Sequence, residues 1–239
     1  MTVAPTPVHP ESHHGVRWML VVVLAFALGA AAVAIRDHVG SSNGSTLRGS
    51  GVPAAQTRTV APFTRVELAG ANNVVVHVGE PRSVIVKADQ NLLGHVTTEV
   101  QSGQLVIANT PGSFSTKSPM VVEVSAPRLE SVVLSGSGNI VIDGLSSASF
   151  DASLPGSGTL TADGTATRLD VAVEGSGSVL FSRLVAQHVH AAVGGTGSVF
   201  VTATGTLAAS VSGTGSIVYQ GNPRRVTKSV TGSGTIVGS

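Results

Sequence analysis

Six times between residues 135 and 238 the chain writes Gly, one Ser or Thr, and Gly again, and each time a short apolar strand follows. The segments are SGSGNIVI (135–142), PGSGTLTA (155–162), EGSGSVLF (174–181), GGTGSVFV (194–201), SGTGSIVY (212–219) and TGSGTIVG (231–238). Counted from the first glycine of each, at Gly136, Gly156, Gly175, Gly195, Gly213 and Gly232, the spacings are 20, 19, 20, 18 and 19 residues. A period near 20 is the mark of a stacked solenoid, whose units bury their apolar side only against their neighbours. Within each unit the apolar residues alternate with period two, which is strand and not helix. Such short coils, with no helical segment, predict a parallel β-helix. Parallel crossovers are right-handed in nearly all cases, so a right-handed coil is expected.

One register runs through all six units. The positions 6, 4 and 2 before the first glycine, and 4 and 6 after it, are predicted to face the core. In the second coil they hold Phe150, Ala152, Leu154, Leu160 and Ala162, and in the third Leu169, Val171, Val173, Val179 and Phe181. The exceptions, Glu130, Lys228 and Gly238, fall in the terminal coils, where a core position can reach water. The same register turns both glycines of each motif inward: Gly136 and Gly138, Gly156 and Gly158, Gly175 and Gly177, Gly195 and Gly197, Gly213 and Gly215, Gly232 and Gly234. These are predicted structural turn residues, at a corner too tight for a Cβ and with positive φ as a further expected demand. The residues between them (Ser137, Ser157, Ser176, Thr196, Thr214, Ser233) then point outward. So do those just after (Asn139, Thr159, Ser178, Ser198, Ser216, Thr235), which makes two ladders of small polar groups.

The N-terminal part is organised differently. Residues 1–17 form a short Pro- and His-containing segment that reads as a disordered tail. Residues 18–35, WMLVVVLAFALGAAAVAI, are uncharged and bounded by Arg17 and Arg36. A helix of that length spans roughly 27 Å, near the thickness of a bilayer core. The AVA at 32–34 suits a cleavage site, but the run is longer than a usual signal core. The expectation is a retained single-pass anchor with the long C-terminal part outside the cytoplasm. Residues 36–60, rich in Gly, Ser and Ala, read as a flexible linker. Residues 61–239 are then the folded domain, with 61–128 an irregular β cap and 129–239 the regular coils. Gly70 keeps the register, with Val66 and Leu68 before it and Val74 and Val76 after.

Composition excludes several functions. The chain has no cysteine, so neither disulfides nor thiolate chemistry are available. A formal charge of +1 gives no reason to expect nucleic acid. No cofactor motif occurs: the Gly-Ser-Gly motifs precede strands, unlike phosphate loops, which open helices. The strongest chemical constellation is one outward row, five residues before the motif glycine, holding Asp151, Asp170 and His190 in consecutive coils. Its metal reading is a bridged cation, and its plain reading a solvated polar face. No Arg or Lys joins it from the adjacent coils, so catalysis is not expected. The hydroxyl ladders offer a second binding chemistry, toward glycans.

The segments VELAGANNVVVHVGEP, QLVIA, VSAPRLESVVLSGSGNIVI and GSIVYQGNPRRVTKSVTGSGTI resemble the bacterial putative auto-transporter adhesin, head GIN domain family. The resemblance covers about residues 63–237. It implies a right-handed β-helix at the bacterial cell surface or in the envelope, with an adhesion or scaffold role and no catalytic residues. One further expectation concerns the last coil. It presents a strand edge with Lys228 at a core position, and so predicts a docking face for a second copy end to end or for another envelope protein.

Overall fold

The structure, a computed structural model, describes residues 46–239. The expected tail 1–17, the apolar span 18–35 and the first part of the linker lie outside the described residues. Among the described residues no helix is long and apolar enough to cross a membrane. Among the described residues the fold is all-β, with about 64% of them in strands and about five turns of solenoid.

Long strands make the regular coils: Asn139–Leu154, Thr159–Val173, Ser178–Val193 and Ser198–Val211. Each pairs in parallel with the next, so the predicted register appears rung by rung. Ile140 lies on Leu160, Leu160 on Val179, Val179 on Val199 and Val199 on Ile217. Every predicted core position of the second, third and fourth coils is buried. Glu130 is exposed, where its carboxylate accepts a bond from Thr64 Oγ1 at 2.9 Å and pairs with Arg128 at 3.5 Å. Burying a coil's apolar side chains stabilises by about 1.5–3 kcal/mol for each Val, Leu, Ile or Phe.

A third wall contributes core residues outside the five-position register. Leu145, Ala166, Leu184, Ala186 and Ala203 are buried there. This wall follows bulges between Ile142 and Leu145, Thr161 and Asp163, and Phe181 and Val185. The bulges absorb the variation in coil length, and so they break the period-two pattern locally. Positive φ occurs here as well, at Gly144 (72°) and Gly164 (122°).

The N-terminal end is closed by added strands. Arg65–Leu68 and Asn73–Val78 form the first rung, below Ser131–Leu134 and Asn139–Leu154 respectively. Gln104–Asn109 pairs with Arg65–Leu68 and folds back antiparallel on Val96–Gln101, through a tight turn at Ser102 and Gly103. Val121–Ala126 extends the other wall, followed by Ser83–Asp89 antiparallel to it. These hairpins are the expected irregular cap.

The linker predicted over 36–60 needs correction. Leu47–Arg48 pairs with Phe114–Ser115, and Pro53–Thr57 pairs antiparallel with Ser83–Asp89. Their small side chains carry no strand alternation, so composition alone reads as tether. What holds them is Asp89. Its side chain, fully buried, accepts bonds from the backbone N–H of Gly51 (2.9 Å), Lys117 (2.8 Å) and Ser118 (3.2 Å), and from Ser118 Oγ (2.9 Å). The Lys117 amide is the largest of the influences holding the carboxyl below its usual pKa, against the opposing effect of desolvation. A lowered pKa means that Asp89 stabilises the fold above the ordinary Asp range, and that this contribution is lost as pH falls through the folded-state value. Asp89→Asn should therefore lower the melting temperature at neutral pH and give a shallower acid limb than wild type. Parallel acid limbs in the two proteins would show that Asp89 is not the group responsible.

The last coil differs from the others. Arg225–Val230 and Thr235–Gly238 pair on one side only among the described residues, and Val226 and Val230 are exposed although they occupy core positions. Lys228 lies across this open end. Its Nζ donates to the Ile236 carbonyl at 3.3 Å and sits 4.8 Å from the centre of the Tyr219 ring. A long stem over apolar surface with a solvated head tolerates a position that would otherwise want Val.

Candidate functional site

The corner built by the Gly-hydroxyl-Gly motifs is backbone on backbone. Ser157 N donates to Gly136 O (3.1 Å), Thr196 N to Gly175 O (3.1 Å) and Thr214 N to Gly195 O (3.1 Å). A Cβ placed on Gly156 would lie 2.1 Å from Gly136 O, and one on Gly195 2.1 Å from Gly175 O. The second glycines are as tight: a Cβ on Gly158 would meet Gly138 O at 1.8 Å. None of the motif glycines has positive φ, which corrects one reason given for them. They are glycine because each coil stacks its corner directly on the carbonyl of the one before.

The outward ladders are where the register puts them. Ser137, Ser157, Ser176, Thr196, Thr214 and Ser233 are exposed. In the second ladder Ser216 Oγ donates to Ser198 Oγ at 3.1 Å, and Asn139 Nδ2 to Asn73 Oδ1 at 2.9 Å.

The polar row also forms. Asp151 is in register with Asp170, and Asp170 with His190, with Ser131 before and Ala208 after. His190 Nδ1 approaches Asp170 Oδ1 at 3.7 Å, with both side chains well exposed. His188, on the same strand as His190, is engaged elsewhere: its Nδ1 shares a hydrogen bond with Thr206 Oγ1 at 2.9 Å. Among the described residues no group of three or more His, Cys, Asp or Glu side chains is placed to hold a metal ion, so the cation reading of Asp151, Asp170 and His190 is not carried further. Adjacent rungs set these side chains side by side, and nothing converges them on one point.

Desolvation on the stacked wall, and then the Asp170 charge, raise the Asp151 pKa, against the opposing pull of Arg168. A raised carboxyl pKa makes the fold tighter in protons than the unfolded chain, so stability from this group falls as pH rises through the window between the ordinary and the raised value. Asp151→Asn should thus raise the melting temperature at neutral pH, with the gain shrinking on acidification. A variant less stable than wild type at neutral pH would show that the Asp151 charge is satisfied after all.

One outward row escaped the sequence reading. Five residues after each motif glycine stand Val141, Thr161, Leu180, Phe200, Val218 and Val237, stacked rung on rung and continued below by Val75. Val141, Leu180 and Phe200 are each 37% exposed and Val237 53%, an unusual set for the outer side of a strand. The signal was present in the period: the same count that located the core places five apolar residues of six at one outward position.

The described residues thus form a parallel β-solenoid with a glycine-stacked corner and walls that carry in-register ladders. The family model described as "Putative auto-transporter adhesin, head GIN domain" matches residues 62–223, and the chain belongs to this family. A crystal structure of a putative adhesin from Bacteroides fragilis is similar at a TM-score of 0.68 and 20% identity, covering 81% of this chain and all of the other. A putative adhesin from Parabacteroides distasonis is similar at a TM-score of 0.51 and 22% identity, over 82% of this chain and all of its own. A putative lipid binding protein from Parabacteroides distasonis is similar at a TM-score of 0.51 and 20% identity, over 82% of this chain and all of its own. At these identities the likeness establishes the fold. No curated protein matches the sequence.

Proposed function

We propose that this protein is a non-enzymatic binding module of the adhesin type, a right-handed solenoid tethered by residues 18–35 to the cell membrane and held outside the cytoplasm. Membership of the head GIN family over residues 62–223 is the observation that carries the reading. Two further features support it. The uncharged run of 18 residues between Arg17 and Arg36 is long enough for a spanning helix. The solenoid offers extended walls of in-register side chains, whose hydroxyl and apolar rows suit broad, shallow contact.

Two measurements on cells making the intact chain test this. Fractionation should find the protein in the membrane pellet, released by detergent, and protease added to spheroplasts should digest the solenoid. Those cells should also adhere to immobilised envelope polysaccharide more than cells carrying an empty vector. Recovery in the soluble cytoplasmic fraction, or adhesion equal to the control, overturns the corresponding half of the reading.

A further inference from the structure

The exposed apolar row lies at the centre of a wall with few charges. Beside it run the ladder from Asn139 to Thr235 and, at the far ends of the strands, Asp143, Asp163 and Gln220. Asp143 already pairs with His77 at 3.5 Å and Asp163 with Arg183 at 3.1 Å. Where the row continues past Val75 it meets Glu123, which is bound to Lys87. Charge depletion around exposed apolar and aromatic side chains is what distinguishes the centre of a protein interface from ordinary surface.

We infer that this wall is the interface of an antiparallel homodimer. Three observations select a second copy as the occupant. The row repeats at the strand spacing of about 4.8 Å, and a second solenoid carries the same repeat, so the rungs of one copy keep register with those of the other along its whole length. The row is also self-complementary about its middle. A two-fold axis along the strand direction, between the coils of Leu180 and Phe200, sets Leu180 against the partner's Phe200, Thr161 against the partner's Val218, and Val141 against the partner's Val237. The largest apolar side chains therefore meet at the centre, where binding energy concentrates. The third observation decides direction. In a parallel pair, generated by a two-fold along the solenoid axis, Glu123 would face the partner's Glu123, whereas the antiparallel pair carries it past the partner's last coil into solvent. The wall measures roughly 30 Å by 17 Å, on the order of 500 Å² in projection. Two such walls bury on the order of 1,000 Å² in all, the lower bound for a specific interface and the size of a weak pair.

The N-terminal ends of the two solenoids leave such a dimer on opposite sides, an arrangement suited to chains tethered in facing membranes. That consequence rests on the anchor proposed above. Fractionation tests the anchor and cross-linking tests the dimer, so the two fail separately.

The absence of native cysteine makes the geometry measurable in the intact chain. With a short bis-maleimide, Ser198→Cys should cross-link to itself, because the partner residue lies about one rung along and one sheet spacing of ~10 Å away. Thr235→Cys alone should not, being about five rungs from its mate, yet mixed with Asn139→Cys it should give a heterologous product. Phe200→Lys, or Leu180→Lys as a second variant, should reduce the Ser198→Cys product at least tenfold with an unchanged melting curve. Self-linking at Thr235 without linking at Ser198 would mean end-to-end docking through the last coil. Equal self-linking at Ser198, Thr235 and Asn139 would mean a parallel pair. Either of these, or no product at any position, overturns the proposal.

Discussion

Gly175→Val should prevent the chain from holding its native coil. A Cβ at this position would lie 1.9 Å from Gly156 O and 2.6 Å from Pro155 O, both backbone atoms of the preceding rung. Neither can move without breaking the corner ladder, in which Gly175 N donates to Leu154 O at 3.2 Å. A close-packed interior relieves such a clash only by separating rungs, so a loss above about 4 kcal/mol is expected, at the extreme of single substitutions. Gly194→Ala is the control. Its Cβ would meet only Ser212 Oγ, at 3.8 Å, and the change should fall within about 0.5 kcal/mol of wild type. Urea unfolding followed by far-UV circular dichroism measures both. Wild-type-like unfolding of Gly175→Val would refute corner stacking as the reason for glycine.

Phe181→Ala should cost about 3–5 kcal/mol, the usual range for deleting a buried aromatic ring. The Phe181 side chain is fully buried, and its ring lies 6.4 Å from that of Phe150 in the preceding coil. One residue earlier along the same strand the register points outward, at Leu180. Phe200, stacked on Leu180, is the same residue type as Phe181 on the opposite side of the sheet. Phe200→Ala should lower monomer stability by less than about 1 kcal/mol, since most surface changes do. The contrast between two phenylalanines tests the inward and outward assignment directly. Equal costs would mean that the strand is not one-sided.

The adhesion and the self-association proposed above would draw on the same property, a wall whose rows keep one spacing. If the dimer forms, the apolar row is taken and the hydroxyl ladder beside it is partly covered. The wall bearing Asp151, Asp170 and His190 then remains open to other ligands, and its exposed side chains suit weak and multivalent contact better than chemistry.

The repeat made the coils legible because a solenoid's core is a local quantity. Each rung buries its side chains on the equivalent ones 18 to 20 residues away, so a period and an alternation were enough to place Phe150, Leu169 and Val189 inside and Ser157 and Asp170 outside. The same count held the outward row of Leu180 and Phe200, which becomes visible when outer positions are tabulated like inner ones. Other features depend on contacts between distant parts of the chain. Residues 47–57 look like tether, and they become sheet because the buried Asp89 holds Gly51 to the loop at Lys117 and Ser118. Leu145, Leu184 and Ala203 enter the core only through bulges that absorb unequal coil lengths, and a fixed register cannot follow these. The motif glycines and the lack of room for a Cβ were read from sequence, but what fills that room was not. It is the carbonyl of the rung below, at a distance no single coil contains.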